Sequence, residues 1–565
     1  MTKTLNYVKP YSSTAVWAII TKFIGAIAEL ILPLLLDYII DDVVPLRDIS
    51  MVIWLGVAML ICSLVAMFGN IWANRLSVSA AARMTHDLRY DLFKKISYLQ
   101  SSQVDEVTIP SLVSRLTSDS YYVNQMVART LRLGVRAPIL LLGGILMTFI
   151  VDVYLALILL ACVPFVVIAV VIITKKSIPY YAKKQANSDD MVRSMQENIT
   201  GVRIIKALSK GEHEKQKFRA ISDRLGNTDY SAKKLMSLTN PVATLILNLG
   251  LVVVIIVGAL MSDGAGSVLA VLTYFTMILN GMLGLSKIFV VISQGVASAD
   301  RIEKVLEKDE TQSVGQYPAG DRAYAVQFKN VSFSYNGVEN NLSNINFSLK
   351  EGGTLGIIGA TGSGKTTVVN LLMRFYDVDS GAIYVDGCDV RSLDPAELRS
   401  RFGIAFQNDF LMAASVHENI DYGRNLPEDG IATAVQSSRA DEFISGLDGG
   451  MNYDLAQKAA NLSGGQKQRL TVARALAGSP HILILDDASS ALDYETDAAL
   501  RHNLACNYPG VTKIIIAQRV SSVRSADEIL VLDDGRQIGL GTHEQLMNSC
   551  EEYKLIYRAQ MGEDV

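Results

Sequence analysis

Gly359-Ala-Thr-Gly-Ser-Gly-Lys-Thr-Thr367 is the stretch around which the chain is organised. It fits the pattern G-x-x-x-x-G-K-[ST], with Gly359, Gly364, Lys365 and Thr366 at the defining positions. The apolar residues 355–358 predict a strand entering the loop, and residues 368–375 predict a helix leaving it. In such a loop the glycines let successive backbone N–H groups turn inward on phosphate oxygens, and the helix N-terminus adds its positive dipole end. Gly359, Thr361, Gly362, Ser363, Gly364, Lys365, Thr366 and Thr367 are therefore candidate nucleotide-binding residues. Lys365 would bridge the β- and γ-phosphates of a nucleotide, and the Thr366 hydroxyl would hold Mg²⁺.

The bulk composition bounds the rest. With 565 residues, half of them hydrophobic and only 19% charged, the chain should hold more than one domain and is too apolar for disorder. A net charge of −4 gives no argument for nucleic-acid binding. The five cysteines are scattered without a C-x-x-C pair, which disfavours a disulfide framework or zinc site and suits a reducing compartment for the polar half. The polar residues 1–11 lead into an apolar run with no small-residue cleavage site after it, so that run reads as retained.

Six apolar runs precede residue 308: 15–40, 51–72, 135–150, 155–173, 241–261 and 268–293. Most reach the roughly 20 residues a helix needs to cross about 30 Å of hydrocarbon, and residues 131–134 could extend the short third run. The connections 41–50, 151–154 and 262–267 are short and almost free of basic residues. Those at 75–132 and 175–234 are long and basic. Positive loops stay cytoplasmic, so both termini and the phosphate-binding half are expected inside the cell membrane. Helical periodicity at 81–98 and 187–217 predicts helices continuing out of the bilayer, with residues 111–119 and 198–209 as candidate contacts for the second half. Lys22, Glu29, Asp37 and Lys287 are the main charges within the spans. Lys22 and Lys287 are expected to snorkel to the interface. The scattered methionines fit an adaptable cavity only loosely, since Met is more often core filling.

The expected organisation is an all-α transmembrane domain at 1–308, a polar linker at 309–322 and an α/β domain with a parallel core sheet at 323–565. Within the last domain five further motifs follow in order: Tyr335; Gln407 after Gly403-Ile-Ala-Phe406; Leu462-Ser-Gly-Gly-Gln466; Ile482-Leu-Ile-Leu-Asp486; and Ser490-Ala-Leu-Asp493. Together with the six spans, they make the whole chain resemble a half-transporter of the ATP-binding cassette exporter family. The resemblance implies that Tyr335 stacks on adenine and that Gln407 and Asp486 join Thr366 around Mg²⁺. It further implies that Ser463, Gly464, Gly465 and Gln466 cap the γ-phosphate bound by the opposite subunit, and that Asp493 lies in the loop linking the two sites.

Two positions depart from the family pattern. The residue after the Walker B aspartate is normally a glutamate that polarises water, and here it is Asp487, shorter by one methylene (about 1.5 Å, when misplacement by ~1 Å can cost 100-fold). The usual switch histidine is replaced by Gln518, which cannot carry positive charge to a phosphate. The run before the signature, normally Gly-Glu-x-Gly, reads Ala456-Gln-Lys-Ala459, which puts its usual contact in doubt. The chain thus resembles the degenerate-site subunit of a bacterial heterodimeric multidrug-type exporter. Its partner would be a related half-transporter, and its cargo an amphipathic drug, lipid or peptide. A regulatory ATP-binding membrane subunit and an importer of a small chelate on the same fold are the alternatives.

Overall fold

The computed structural model describes residues 4, 6–261, 264–309, 312, 314–408 and 410–561. The chain divides into two units, residues 1–97 with 108–308 and residues 98–107 with 309–565.

The first unit is helical. Its principal elements are α1 (Ser12–Tyr38), α2 (Ile49–Tyr98), α4 (Ser120–Val151), α5 (Val153–Thr200), α6 (Val202–Ala207), α7 (Gly211–Ser237), α8 (Thr239–Met261) and α9 (Ala265–Leu306). Six helical stretches are long and apolar enough to cross a membrane, each of 35 to 50 residues. At 1.5 Å per residue α2 is roughly 75 Å long, more than twice the thickness of the hydrocarbon, so its charged half runs well beyond the apolar one. Large apolar side chains stand exposed on these helices, Trp54 at 71% and Leu260 at 79%, as a lipid-facing surface requires. The helices touch through small residues: Gly25 of α1 lies against Gly69 of α2, where a Cβ on Gly69 would sit 3.1 Å from the Thr21 carbonyl oxygen.

One expectation needs correction here. Lys22 does not snorkel. It is 4% exposed, and its ammonium donates to Asn70 and Asn74 of α2, because the close crossing of α1 and α2 brings two amide oxygens within its reach. The side chain of Lys287 lies outside the described residues. Residues 111–119 belong to the first unit, and the helix α3 (Ser101–Val107) belongs to the second. Within that second unit Tyr376 donates its hydroxyl to Asp105, and Gln100, Ser102 and Glu106 line the same cleft as Tyr335 and Tyr376.

The second unit is built on one ten-stranded sheet, ordered β5-β4-β1-β2-β10-β9-β3-β8-β7-β6. In chain order the strands are β1 (Tyr324–Phe333), β2 (Leu342–Lys350), β3 (Thr354–Gly359), β4 (Ser380–Val385), β5 (Cys388–Asp389), β6 (Phe402–Ala405), β7 (Ile482–Asp486), β8 (Thr512–Ile516), β9 (Glu528–Asp533) and β10 (Arg536–Gly541). Strands β9, β3, β8, β7 and β6 are parallel, and β2, β1, β4 and β5 pair antiparallel. All five residues of β7 are buried, the near-continuous apolar reading of a parallel strand covered on both faces. The polar stretch before β1 is laid on this unit: the Gln312 amide donates to the Arg374 carbonyl, Gly315 N–H to Arg391 and Gly320 N–H to Gly387.

Candidate functional site

Strands β3, β7 and β8 lie side by side and parallel, so the residues following each of their C-terminal ends meet in one cleft. The cleft, of about 290 Å³, is lined by Thr361, Gly362, Gly364, Lys365, Thr366 and Thr367 from the loop and helix after β3. Gln407 follows β6, Asp486 and Asp487 close β7, and Gln518 follows β8.

The loop needs its glycines. Gly364, which precedes helix α10 (Lys365–Leu372), has φ +97°, and a Cβ there would lie 2.6 Å from the Leu342 side chain. Gly362 has φ +86°, again the left-handed region. The ammonium of Lys365 donates to the carbonyls of Gly359 (2.8 Å) and Ala360 (2.7 Å), which holds it at the loop. Burial lowers its pKa, and the charges of Asp487 and Asp486 oppose that shift. Asp486 is 2% exposed, and burial raises its pKa against a stabilising hydrogen bond from Thr366. One Asp486 oxygen, Oδ2, is buried without a partner, as is the Ser363 hydroxyl. A buried carboxylate oxygen with an open coordination direction, beside Thr366 and Gln407 in the cleft, fits a hard cation such as Mg²⁺. Bound there, Mg²⁺ would neutralise phosphate charge, with Thr366, Gln407 and Asp486 as the residues to hold it.

The departing residues make a pair. The Gln518 amide donates from Nε2 to Asp487 Oδ2 at 3.2 Å, and Asp487 N–H donates to the Ile516 carbonyl at 3.0 Å. Asp487 has φ +50°, a left-handed conformation that Asp accepts more readily than Glu. Burial raises its pKa, offset by Lys365 and Arg519. Gln560, in the last helix α12 (Glu551–Met561), clamps the backbone around this switch: its amide donates to the Gln518 carbonyl at 2.7 Å and accepts from Val520 N–H at 2.8 Å. Nothing local in the sequence marks Gln560, since the contact bridges about forty residues.

The other named residues lie elsewhere in this unit. Tyr335 is 45% exposed. Its hydroxyl accepts from Asn370 at 3.0 Å and lies 3.4 Å from the Thr367 hydroxyl, while its ring stands edge-on to Tyr376. Ser463 caps helix α11 (Gly464–Ala477): its Oγ accepts Gln466 N–H and the Gln466 side chain accepts Ser463 N–H, so Ser463 and Gln466 form a capping box at a helix start. Gly464 and Gly465 pack on Ala491, where a Cβ on Gly465 would come within 3.2 Å of its carbonyl oxygen. Asp493 is the N-cap of the helix Tyr494–Asn507 and accepts Thr496 N–H at 2.7 Å. Gln468, to which sequence reading assigned no role, is 3% exposed and ties α11 to this loop through Ser490 Oγ and Ala491 N–H. Ahead of the signature, Lys458 and Ala459 both have positive φ, the conformation a glycine favours.

Residues 16–283 match the ABC transporter transmembrane region and residues 342–490 match the ABC transporter family. An uncharacterized ABC transporter ATP-binding protein of Bacillus subtilis, YfiB, is 34% identical, over 100% of this chain and 99% of its own. The chain belongs to the ABC transporter family. A second relative of this transporter is a probable multidrug resistance ABC transporter ATP-binding/permease protein of B. subtilis, YheH, 30% identical over 92% of this chain and 78% of the relative. The fold is that of an ABC exporter: a bacterial Atm1-family ABC exporter solved with ATP bound superposes with a TM-score of 0.83 at 23% identity, covering 98% of this chain and 99% of that one. The transporter is thus a multi-pass membrane protein with an ATP-binding cassette at its C-terminal end.

Proposed function

We propose that this transporter is one half of a bacterial heterodimeric exporter, in which its own loop grips ATP and cleaves it poorly. The Gln518–Asp487 hydrogen bond carries the reading: the two residues that depart from the hydrolytic pattern satisfy each other at the mouth of an otherwise complete loop. A carboxylate held this way is one methylene short of the usual base and is occupied by a neutral amide. The capping-box start of α11, with its free N–H groups and positive dipole end, suits a γ-phosphate presented by a partner, so Ser463, Gly464, Gly465 and Gln466 would complete the partner's competent site. Both termini and the cassette would lie in the cytoplasm. ATP closing the paired cassettes would open the spans outward for an amphipathic cargo, and hydrolysis at the competent site would reset them.

The test is ATP turnover by the purified chain alone and mixed with candidate half-transporters. The lone chain should bind ATP and turn it over slowly, and the correct partner should restore turnover. Fast hydrolysis by the lone chain overturns the degenerate-site reading.

A further inference from the structure

Polar side chains are scarce among the membrane helices, yet several converge at one place. The Lys22 ammonium donates to Oδ1 of Asn70 at 2.7 Å and of Asn74 at 3.3 Å. Asn70 Nδ2 donates in turn to Glu29 Oε1 at 2.8 Å. From α4, Arg136 Nη2 reaches both Glu29 oxygens, at 3.1 and 2.9 Å. Glu29 lies 14 residues before Val43 and Arg136 lies 15 before Val151, so both stand about 20 Å in from those helix ends, within the hydrocarbon.

The charges do not balance. Two cations face one carboxylate, which leaves a unit of positive charge where an uncompensated charge is costly. A purely structural tie would need only Glu29 and Arg136. The guanidinium also has donors to spare: Glu29 takes Nη2, while Nε is buried with no partner and the side chain as a whole is 40% exposed. Arg132 and Arg129 follow on the same helix face, each about a turn further from the Val151 end. Their Nε groups donate to the Ala128 carbonyl and to Gln125, and among the described residues neither meets a carboxylate.

We propose that Arg136 anchors an anion-binding site in the membrane region, for a cargo with an anionic headgroup, carboxylate or phosphate, on an apolar body. Glu29 holds the guanidinium until an anion takes its free donors in a forked pair. Lys22 supplies the charge that keeps the site cationic, and Arg132 and Arg129 step the anion in from the interface. The site rests on the transporter reading above and narrows its cargo to anionic amphiphiles.

The test is binding to the full chain in phosphatidylcholine nanodiscs, with oleate and oleoyl-lysophosphatidic acid as the carboxylate and phosphate arms and lysophosphatidylcholine as the zwitterionic control. Bound nucleotide and a monodisperse elution profile serve as fold checks on each variant. At least one anionic probe should bind about ten times more tightly than the control, and Arg136→Gln should lower that affinity about tenfold with ATP binding unchanged. Glu29→Gln should raise it about threefold by releasing the guanidinium, and this variant carries the test alone if Arg136→Gln does not fold. Equal binding of probe and control, no effect of Arg136→Gln, or weaker binding in Glu29→Gln overturns the site. Transport into vesicles is read separately, on the chain paired with the half-transporter that restores its ATP turnover. Anion binding at Arg136 with no transport sinks the transporter reading and leaves the site, whereas transport untouched by Arg136→Gln sinks the site alone.

Discussion

Within one cleft, the loop after β3 and the ends of β7 and β8 obey different constraints. The loop carries one lysine on a backbone whose shape is held by glycines at φ +86° and +97°. The strand ends present side chains, and there the chain carries a short carboxylate and a neutral amide bonded to each other. On the function proposed above, gripping a triphosphate and cutting it are separable tasks: the first would depend on backbone geometry, the second on the reach and charge of two side chains.

The comparison breaks most simply from the loop side. Lys365→Ala should weaken ATP binding about 100-fold, read by equilibrium binding of labelled nucleotide, because it removes a cation held at the loop. From the strand side, Asp487→Glu with Gln518→His should raise turnover about 10-fold or more while ATP affinity stays within about twofold. An unchanged rate would mean the two departures are not what limits cleavage. Gln560→Ala sharpens the contrast: losing both backbone clamps on the switch should reduce that gain about fivefold and leave nucleotide affinity alone.

A smaller effect separates stability from function at Asp486. Burial raises its pKa, so the folded state keeps its proton to higher pH than the unfolded chain does. Stability is therefore lost as pH rises from the ordinary carboxylate value near about 3.9 through the raised one. Asp486→Asn avoids that loss. In nucleotide-free protein its melting temperature should exceed the parent's by roughly 2 °C at neutral pH, the gain vanishing in acid, while the Mg²⁺ dependence of ATP binding disappears. The smallest change is Ala459→Gly, which relieves a left-handed alanine before the signature and should stabilise the cassette by under about 1 kcal/mol in denaturant unfolding.

Much of this was legible in the residues. The spans, the loop, Asp486, Asp487, Gln407 and Gln518 are all marked by local pattern, because apolar length and motif spacing are properties of contiguous sequence, and the structure gathers the last four with the loop in one cleft. Other features had no local mark. Arg136 sat unremarked in an apolar run until Glu29, more than a hundred residues earlier, proved to be its partner. Lys22 read as a snorkelling cation because its amide partners lie on another helix. Residues 98–107 group with the cassette, where Asp105 accepts from Tyr376, a pairing across 271 residues that no local pattern marks.

By itself, then, the sequence determined the class of molecule, the glycine-rich loop motif and the two residues that depart from the family pattern. Only the tertiary structure decided that those two residues bond to each other, that Gln560 clamps the backbone beside them, and that an unbalanced cluster of charge sits among the membrane helices. Motifs are written in neighbouring residues, but hydrogen bonds and charge balance depend on which distant side chains the packing of helices and strands brings within about 3 Å.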